Sequence, residues 1–137
     1  MSKFPELGDS RVRRVEVTSE LVASFAALVS DHAPVHFDEV FAKERGYRTP
    51  IAHGMLVTSL LSGVLGEELP GPLSVINELK VKYRSPVFIG DTVQVSITVT
   101  KVVAAVGAVL LAVEITNLTT TTVCISGSVL CSFPNNA

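Results

Sequence analysis

Two periodicities divide the chain. From Ser74 onward apolar and polar residues alternate in four segments, SVINELKVKYRSPV, DTVQVSITVTKVV, AVLLAVEITN and TTVCISGSVLCSF. They are rich in Val, Ile and Thr, and turn signals at Ser85–Pro86, Gly90–Asp91, Gly107 and Asn117 separate them, so four antiparallel strands are expected. RVRRVEV, from Arg11 to Val17, fits a short first strand. The period then becomes helical: Thr18, Ser19 and Glu20 supply helix-start chemistry, and Leu21, Phe25, Leu28 and Val29 follow at helical spacing. IAHGMLVTSLLSGVLGEEL, from Ile51 to Leu69, is apolar or small around nearly its whole circumference. That pattern predicts a buried helix, and Pro50 is suited to open it. The order is strand, helix, long connection, buried helix, four strands. It implies an α+β domain over residues 1–137 in which an antiparallel sheet wraps around a central helix.

Composition narrows the class. At 137 residues the chain is long enough for one domain and one core. Apolar residues make up 47% and charged residues 18%, a balance that hints at surface covered in an oligomer. A net charge of −2 with no basic arm excludes a nucleic-acid surface. The longest apolar run, Val102 to Val113, is too short to span a bilayer, and the N-terminus lacks a signal-peptide core. Cys124 and Cys131 are separated by an odd number of positions in one strand, which would put them on opposite faces as free thiols. A cytoplasmic protein is the expectation.

The chemistry is concentrated in one place. Ser30 to Met55, SDHAPVHFDEVFAKERGYRTPIAHGM, holds all 3 histidines of the chain. Asp31 through Pro50 lack periodicity apart from a helical turn at Glu39–Glu44, and long connections inside compact domains are usually functional. Asp31 and His36 lie five apart with Pro34 between them, a spacer stiffened by its fixed φ. Imidazole changes charge near neutrality, and a carboxylate works better as a base when partly buried, so the two suit paired proton transfer. Asp31 also fits a plainer role, capping the turn that follows it. Gly54 lies in the first turn of the predicted helix, where amides have no partner four residues back and a ligand can approach closely. The histidines show neither the i, i+4 pair nor the Cys/His cluster of a metal site.

Three ordered motifs, Asp31-His32-Ala33-Pro34-Val35-His36, Pro50-Ile51-Ala52-His53-Gly54-Met55-Leu56 and Pro86-Val87-Phe88-Ile89-Gly90-Asp91, resemble the MaoC-like dehydratase family. More narrowly they resemble its small (R)-specific enoyl-CoA hydratases, whose signature is D-x-N-P-x-H. Ala33 stands at the motif asparagine, and Ser30 where glycine is common. The resemblance implies the hot-dog fold and a homodimer that adds water syn across trans-2-enoyl-CoA, or removes it from (R)-3-hydroxyacyl-CoA. It implies Asp31 and His36 as the catalytic pair, the Gly54 amide as holder of the thioester oxygen, and Ser62 as support for the aspartate. Coenzyme A would be part of the substrate, with no separate cofactor and no metal.

Several assignments stay open at this level. Either member of the pair could take the proton from water. His53 is adjacent to the oxyanion donor and fits ligand contact or a structural role. Lys82 and Arg84 lie with Glu78 and Lys80 on the outer face of a strand, either as a solvated surface or, with Arg45 or Arg48, as contacts to the phosphates of coenzyme A. A hot-dog acyl-CoA thioesterase and a non-catalytic acyl-CoA-binding module are the alternative functions.

Overall fold

The computed structural model describes residues 4–134; residues 1–3 and 135–137 of the expected domain lie outside the described residues. Its elements are β1 (Ser10–Glu16), α1 (Ser19–Val29), α2 (Glu39–Glu44), α3 (Gly54–Glu67), β2 (Val75–Tyr83), β3 (Thr92–Val103), β4 (Ala108–Asn117) and β5 (Thr122–Ser132). The five strands form one antiparallel sheet in the order β1-β3-β4-β5-β2. Strict alternation puts Val93, Val95, Ile97 and Val99 of β3 inward. They meet Leu56, Val57, Leu61, Val64 and Leu65 of α3 in a single buried cluster. No helix among the described residues is long and apolar enough to cross a membrane.

Gly127 lets β5 approach the backbone of β2 closely. A Cβ there would lie 2.8 Å from the carbonyl carbon of Lys80 and 2.9 Å from Val81 Cα, and closer still to the Lys80 carbonyl oxygen. Gly127 is opposite Val81 on one side and Val113 on the other, so β2 and β5 approach in mid-sheet at a distance only glycine tolerates.

Four expectations need correction. The central helix begins at Gly54, with His53 as its N-cap, rather than at Pro50. Residues 51 and 52 are instead drawn into extended pairing: Ile51 bridges Phe88, and the Ala52 amide donates to Val87 O at 2.8 Å. Nor is α3 buried on all sides, because Gly54, Met55, Ser59, Ser62 and Gly66 form an exposed face. In α1 the buried residues are Val22 and Ala26, while Leu28 and Val29 are exposed. Finally, Cys124 and Cys131 are both buried and free. The register shifts between Ile115 and Thr116, and this irregularity falls opposite Cys124; the added residue reverses the in–out parity along β5.

Candidate active site

The segment after α1 is aimed by its cap. Thr18 opens α1 by accepting from the Leu21 amide at 3.1 Å, and Ser30 closes it in the left-handed region at φ 61°. A position with that backbone favours glycine. Ser30 occupies it here, and the Asp31 amide donates to Ala26 O at 3.1 Å. The chain then turns through a short 3-10 segment, Pro34–His36, and the Asp38 side chain caps α2 by accepting from the Phe41 amide.

Asp31 caps neither the short 3-10 turn nor α2, whose N-caps are Ala33 and Asp38, and its two oxygens have different partners. Oδ1 accepts from the Ala33 amide at 3.1 Å, which closes the local turn. Oδ2 faces two imidazoles, with His36 Nε2 and His53 Nε2 each 3.9 Å away. The carboxylate side chain is 47% exposed, more open than the partial burial expected of it.

His36 is buried, and its Nδ1 lies 2.7 Å from Ile51 O. A carbonyl has only lone pairs to offer, so the hydrogen is on Nδ1 and the neutral ring presents a lone pair at Nε2. The strap that supplies this carbonyl is tied at several points. The Ile51 amide donates to Val35 O at 3.1 Å, and Ile51 bridges Phe88. Arg48 places its guanidinium 4.0 Å above the Phe88 ring and 3.9 Å from Asp91 Oδ1. Asp91 is 4% exposed and accepts from the Phe88 amide at 3.0 Å and from Asn117 Nδ2 at 2.7 Å. The third motif therefore braces the loop that holds His36.

His53 is 3% exposed, and its Nε2–H donates to the main-chain carbonyl of Asp31 at 3.0 Å. Its ring stacks on that of His36 with centroids 3.8 Å apart and planes inclined by 27°. Gly54 follows it as the first helical residue, and no side chain caps the opening turn. The ring of Tyr83 covers Gly54 so closely that a Cβ there would lie 2.9 Å from Tyr83 Cε1. Tyr83 is itself held by a hydroxyl contact of 2.7 Å to Thr58, which bonds back to Gly54 O.

Two clefts meet at Gly54. One, of about 490 Å³, is lined by Phe25, Val29, Asp31, His36, His53, Gly54 and Met55. The other, of about 330 Å³, runs between Tyr47, Tyr83 and Arg84 at its rim and Val57, Cys124 and Ile125. Asp31, His36, His53 and Gly54 are thus brought together. Ser62 is not: it lies on the exposed face of α3 and makes no hydrogen bond to Asp31 among the described residues. The aspartate is held instead by the Ala33 amide and by His53, whose contact spans 22 positions and fits the structural one of the two roles open to it in the sequence. Arg84 borders the second cleft while its Nε donates to Ser126 Oγ at 2.6 Å. Lys82 lies elsewhere, on the outer face of the sheet beside Lys80 and Ser128. Arg45 stacks on Phe41 at 4.9 Å and Arg48 is engaged as above.

Ligand atoms of Asp31, His36 and His53 come within 4.8 Å of one another, an arrangement the sequence did not anticipate. The donor set suits a metal poorly. His53 Nε2 carries the hydrogen given to Asp31 O, and transferring that hydrogen to Nδ1 would leave it buried without an acceptor. The site is a carboxylate facing two imidazoles beside a helix N-terminus.

A family model described as a MaoC-like domain matches residues 5–123. An (R)-specific enoyl-CoA hydratase of Aeromonas caviae is 46% identical over 79 residues, 58% of this chain and 59% of that protein. A 3-hydroxybutyryl-CoA dehydratase of Methylorubrum extorquens is 38% identical over 98 residues, 72% of this chain and 62% of that protein. The chain spans about three-fifths of the length of these curated relatives. Among solved structures, the (R)-hydratase from A. caviae involved in PHA biosynthesis has a TM-score of 0.89 at 32% identity, covering 95% of this chain and 98% of that one. The unliganded R-hydratase PhaJ1 from Pseudomonas aeruginosa gives 0.87 at 26% identity, with 96% and 84% covered. The architecture is the hot-dog fold of those proteins.

Proposed function

Because the chain belongs to the MaoC-like domain family, we propose that it is an (R)-specific enoyl-CoA hydratase, acting equally as a 3-hydroxyacyl-CoA dehydratase. The observation that carries this reading is the facing of His36 Nε2 and Asp31 Oδ2 at 3.9 Å. That gap is too long for a direct hydrogen bond and short enough for one water to donate to both acceptors. Such a water, held on one side of a bound enoyl thioester, attacks the β-carbon as one of the pair takes its proton. The same proton returned to the α-carbon from that side gives syn addition and leaves both side chains as they began. Paired transfer of this kind is worth about 10²–10⁴-fold in rate.

Negative charge builds on the thioester oxygen as the carbon–oxygen bond forms. The Gly54 amide at the uncapped start of α3 is the donor for it, and fixed donors of this kind contribute about 10²–10³-fold. The Tyr83 ring and Thr58 hydroxyl keep the Gly54 backbone in place. The acyl-CoA lies across Gly54, where the two clefts meet, and Arg84 at the rim of the second is nearer to a phosphate role than Lys82.

The working form is a homodimer. Val75, Ile76, Leu79 and Tyr83 on edge strand β2 are 39–54% exposed, and Met55 beside the catalytic cleft is 74% exposed. An apolar sheet edge of this kind calls for a cover, and twofold pairing with a second copy is the closed solution. The function is tested with trans-2-enoyl-CoA substrates from C4 to C12 and chiral analysis of the product, with release of free coenzyme A followed in parallel. (R)-3-hydroxyacyl-CoA is the expected product; thiol release without hydration would identify a thioesterase instead. A mass measurement returning a monomer would contradict the dimer.

A further inference from the structure

The geometry points to His53 as a positioning residue that sets the alignment of the Asp31–His36 pair, an inference that rests on the hydratase reading of this site. One side chain touches both members. Its Nε2–H holds the main chain of Asp31 at 3.0 Å, and its ring lies flat against His36 at 3.8 Å. Phe25 packs on the ring at 5.1 Å and Phe37 at 6.3 Å, so the imidazole has little freedom to turn over.

The remaining nitrogen, Nδ1, is the one buried side-chain polar atom without a hydrogen-bond partner among the described residues. Buried polar groups are nearly always satisfied, so a vacant one calls for an explanation. A phenylalanine would fill this slot without leaving any such atom, and a glutamine would supply an amide donor without a ring. Histidine is the residue that combines a flat ring for His36 with a donor at the far edge for Asp31; the vacant Nδ1 is what that combination leaves over. Ring stacking limits the tilt of His36 about its Nδ1–H bond to Ile51, while the carbonyl contact fixes where the Asp31 carboxylate emerges. Together they determine the 3.9 Å gap in which the water is held. His53 does this without touching the reacting atoms.

Two variants separate its functions. His53→Phe keeps a ring against His36 and removes the donor, whereas His53→Gln keeps an N–H donor and removes the ring. With crotonyl-CoA each is expected to lower kcat by about 10–100-fold, the scale of a sub-ångström to ångström misplacement. KM should stay within about threefold and far-UV circular dichroism should be unchanged. Ring ¹⁵N NMR of the wild-type protein gives a readout independent of turnover. It should find stacked histidines in opposite tautomers, His36 with hydrogen on Nδ1 and His53 with hydrogen on Nε2. The His36 pattern should become mixed in both variants.

A kcat within twofold of wild type in both variants overturns the inference, as does a His53 hydrogen on Nδ1 or a loss of activity that merely follows loss of folded protein. A wild-type protein that hydrates no enoyl-CoA refutes the hydratase reading instead, and the tautomer measurement then decides the positioning role by itself.

Discussion

Replacing Gly127 by alanine perturbs the fold at the point where the sheet is most tightly drawn together. The added methyl would meet backbone, Lys80 C at 2.8 Å and Val81 Cα at 2.9 Å, with the Lys80 carbonyl oxygen nearer still. Ordinary contacts between such atoms begin near 3.4 Å, so β2 and β5 must part by at least about half an ångström, more at the oxygen. Neither backbone can swing aside as a flexible side chain would. β2 pairs only with β5, so it is the strand that yields. One or two ladder hydrogen bonds near Val81 are weakened at about 1 kcal/mol each, and Val81 loses packing against the core for about 1 kcal/mol more. The total is about 2–3 kcal/mol. For a domain of this size the unfolding entropy is about 0.3 kcal/mol per kelvin, so Tm falls by about 7–10 °C. Gly66→Ala is the matched control. Nothing lies within 4 Å of its Cβ position on an exposed turn of α3, and alanine is the better helix former. It should raise stability by about 0.5 kcal/mol. Thermal and urea unfolding at one protein concentration compare the two. A Gly127→Ala protein as stable as the wild type would refute the close approach of β2 and β5.

Other consequences are as direct. Asp91→Ala strands the Phe88 amide and Asn117 Nδ2 in a buried site and removes the carboxylate facing Arg48, so urea unfolding should show a loss of about 2–4 kcal/mol. Burial raises the Cys131 thiol from 9.0 to about 11. The folded protein keeps that proton after the unfolded chain has begun to release it, so the stabilisation is fully present below pH 9 and lost between pH 9 and 11. A shift of this size corresponds to about 3 kcal/mol. The wild type should therefore lose stability more steeply than Cys131→Ala across that window, and parallel curves in denaturant titrations would contradict the shift.

Much of the fold was legible because strand and helix periods are local properties. β4 begins and ends where AVLLAVEITN does, and α2 coincides with the helical turn foreseen at Glu39–Glu44. What was hidden depended on partners far along the chain. Pro50 looked like a helix start, yet pairing of residues 51 and 52 with the segment at 87–88 delays α3 to Gly54. The shift opposite Cys124 is a property of the β4–β5 register, invisible in β5 alone. At the site, the spacing of Asp31, Pro34 and His36 marked a pair that does come together. The family resemblance implied Ser62 as the support for that pair, whereas His53 reaches Asp31 through the loop's return to the helix. No periodicity reports such a contact. Asp91 likewise read as part of a turn and of the third motif, while its bonds to Asn117 and Arg48 depend on the closed sheet.

The proposed mechanism requires Asp31 Oδ2 and His36 Nε2, 3.9 Å apart, to accept from one water. Asp31→Asn keeps the shape of the side chain and an oxygen for the Ala33 amide, but removes the charge facing His36. Hydration of crotonyl-CoA, followed by loss of enoyl absorbance, should fall by about 10²–10⁴-fold in a protein whose circular dichroism is unchanged. A rate within a few-fold of the wild type would show that the proton moves without that carboxylate, and would contradict the mechanism.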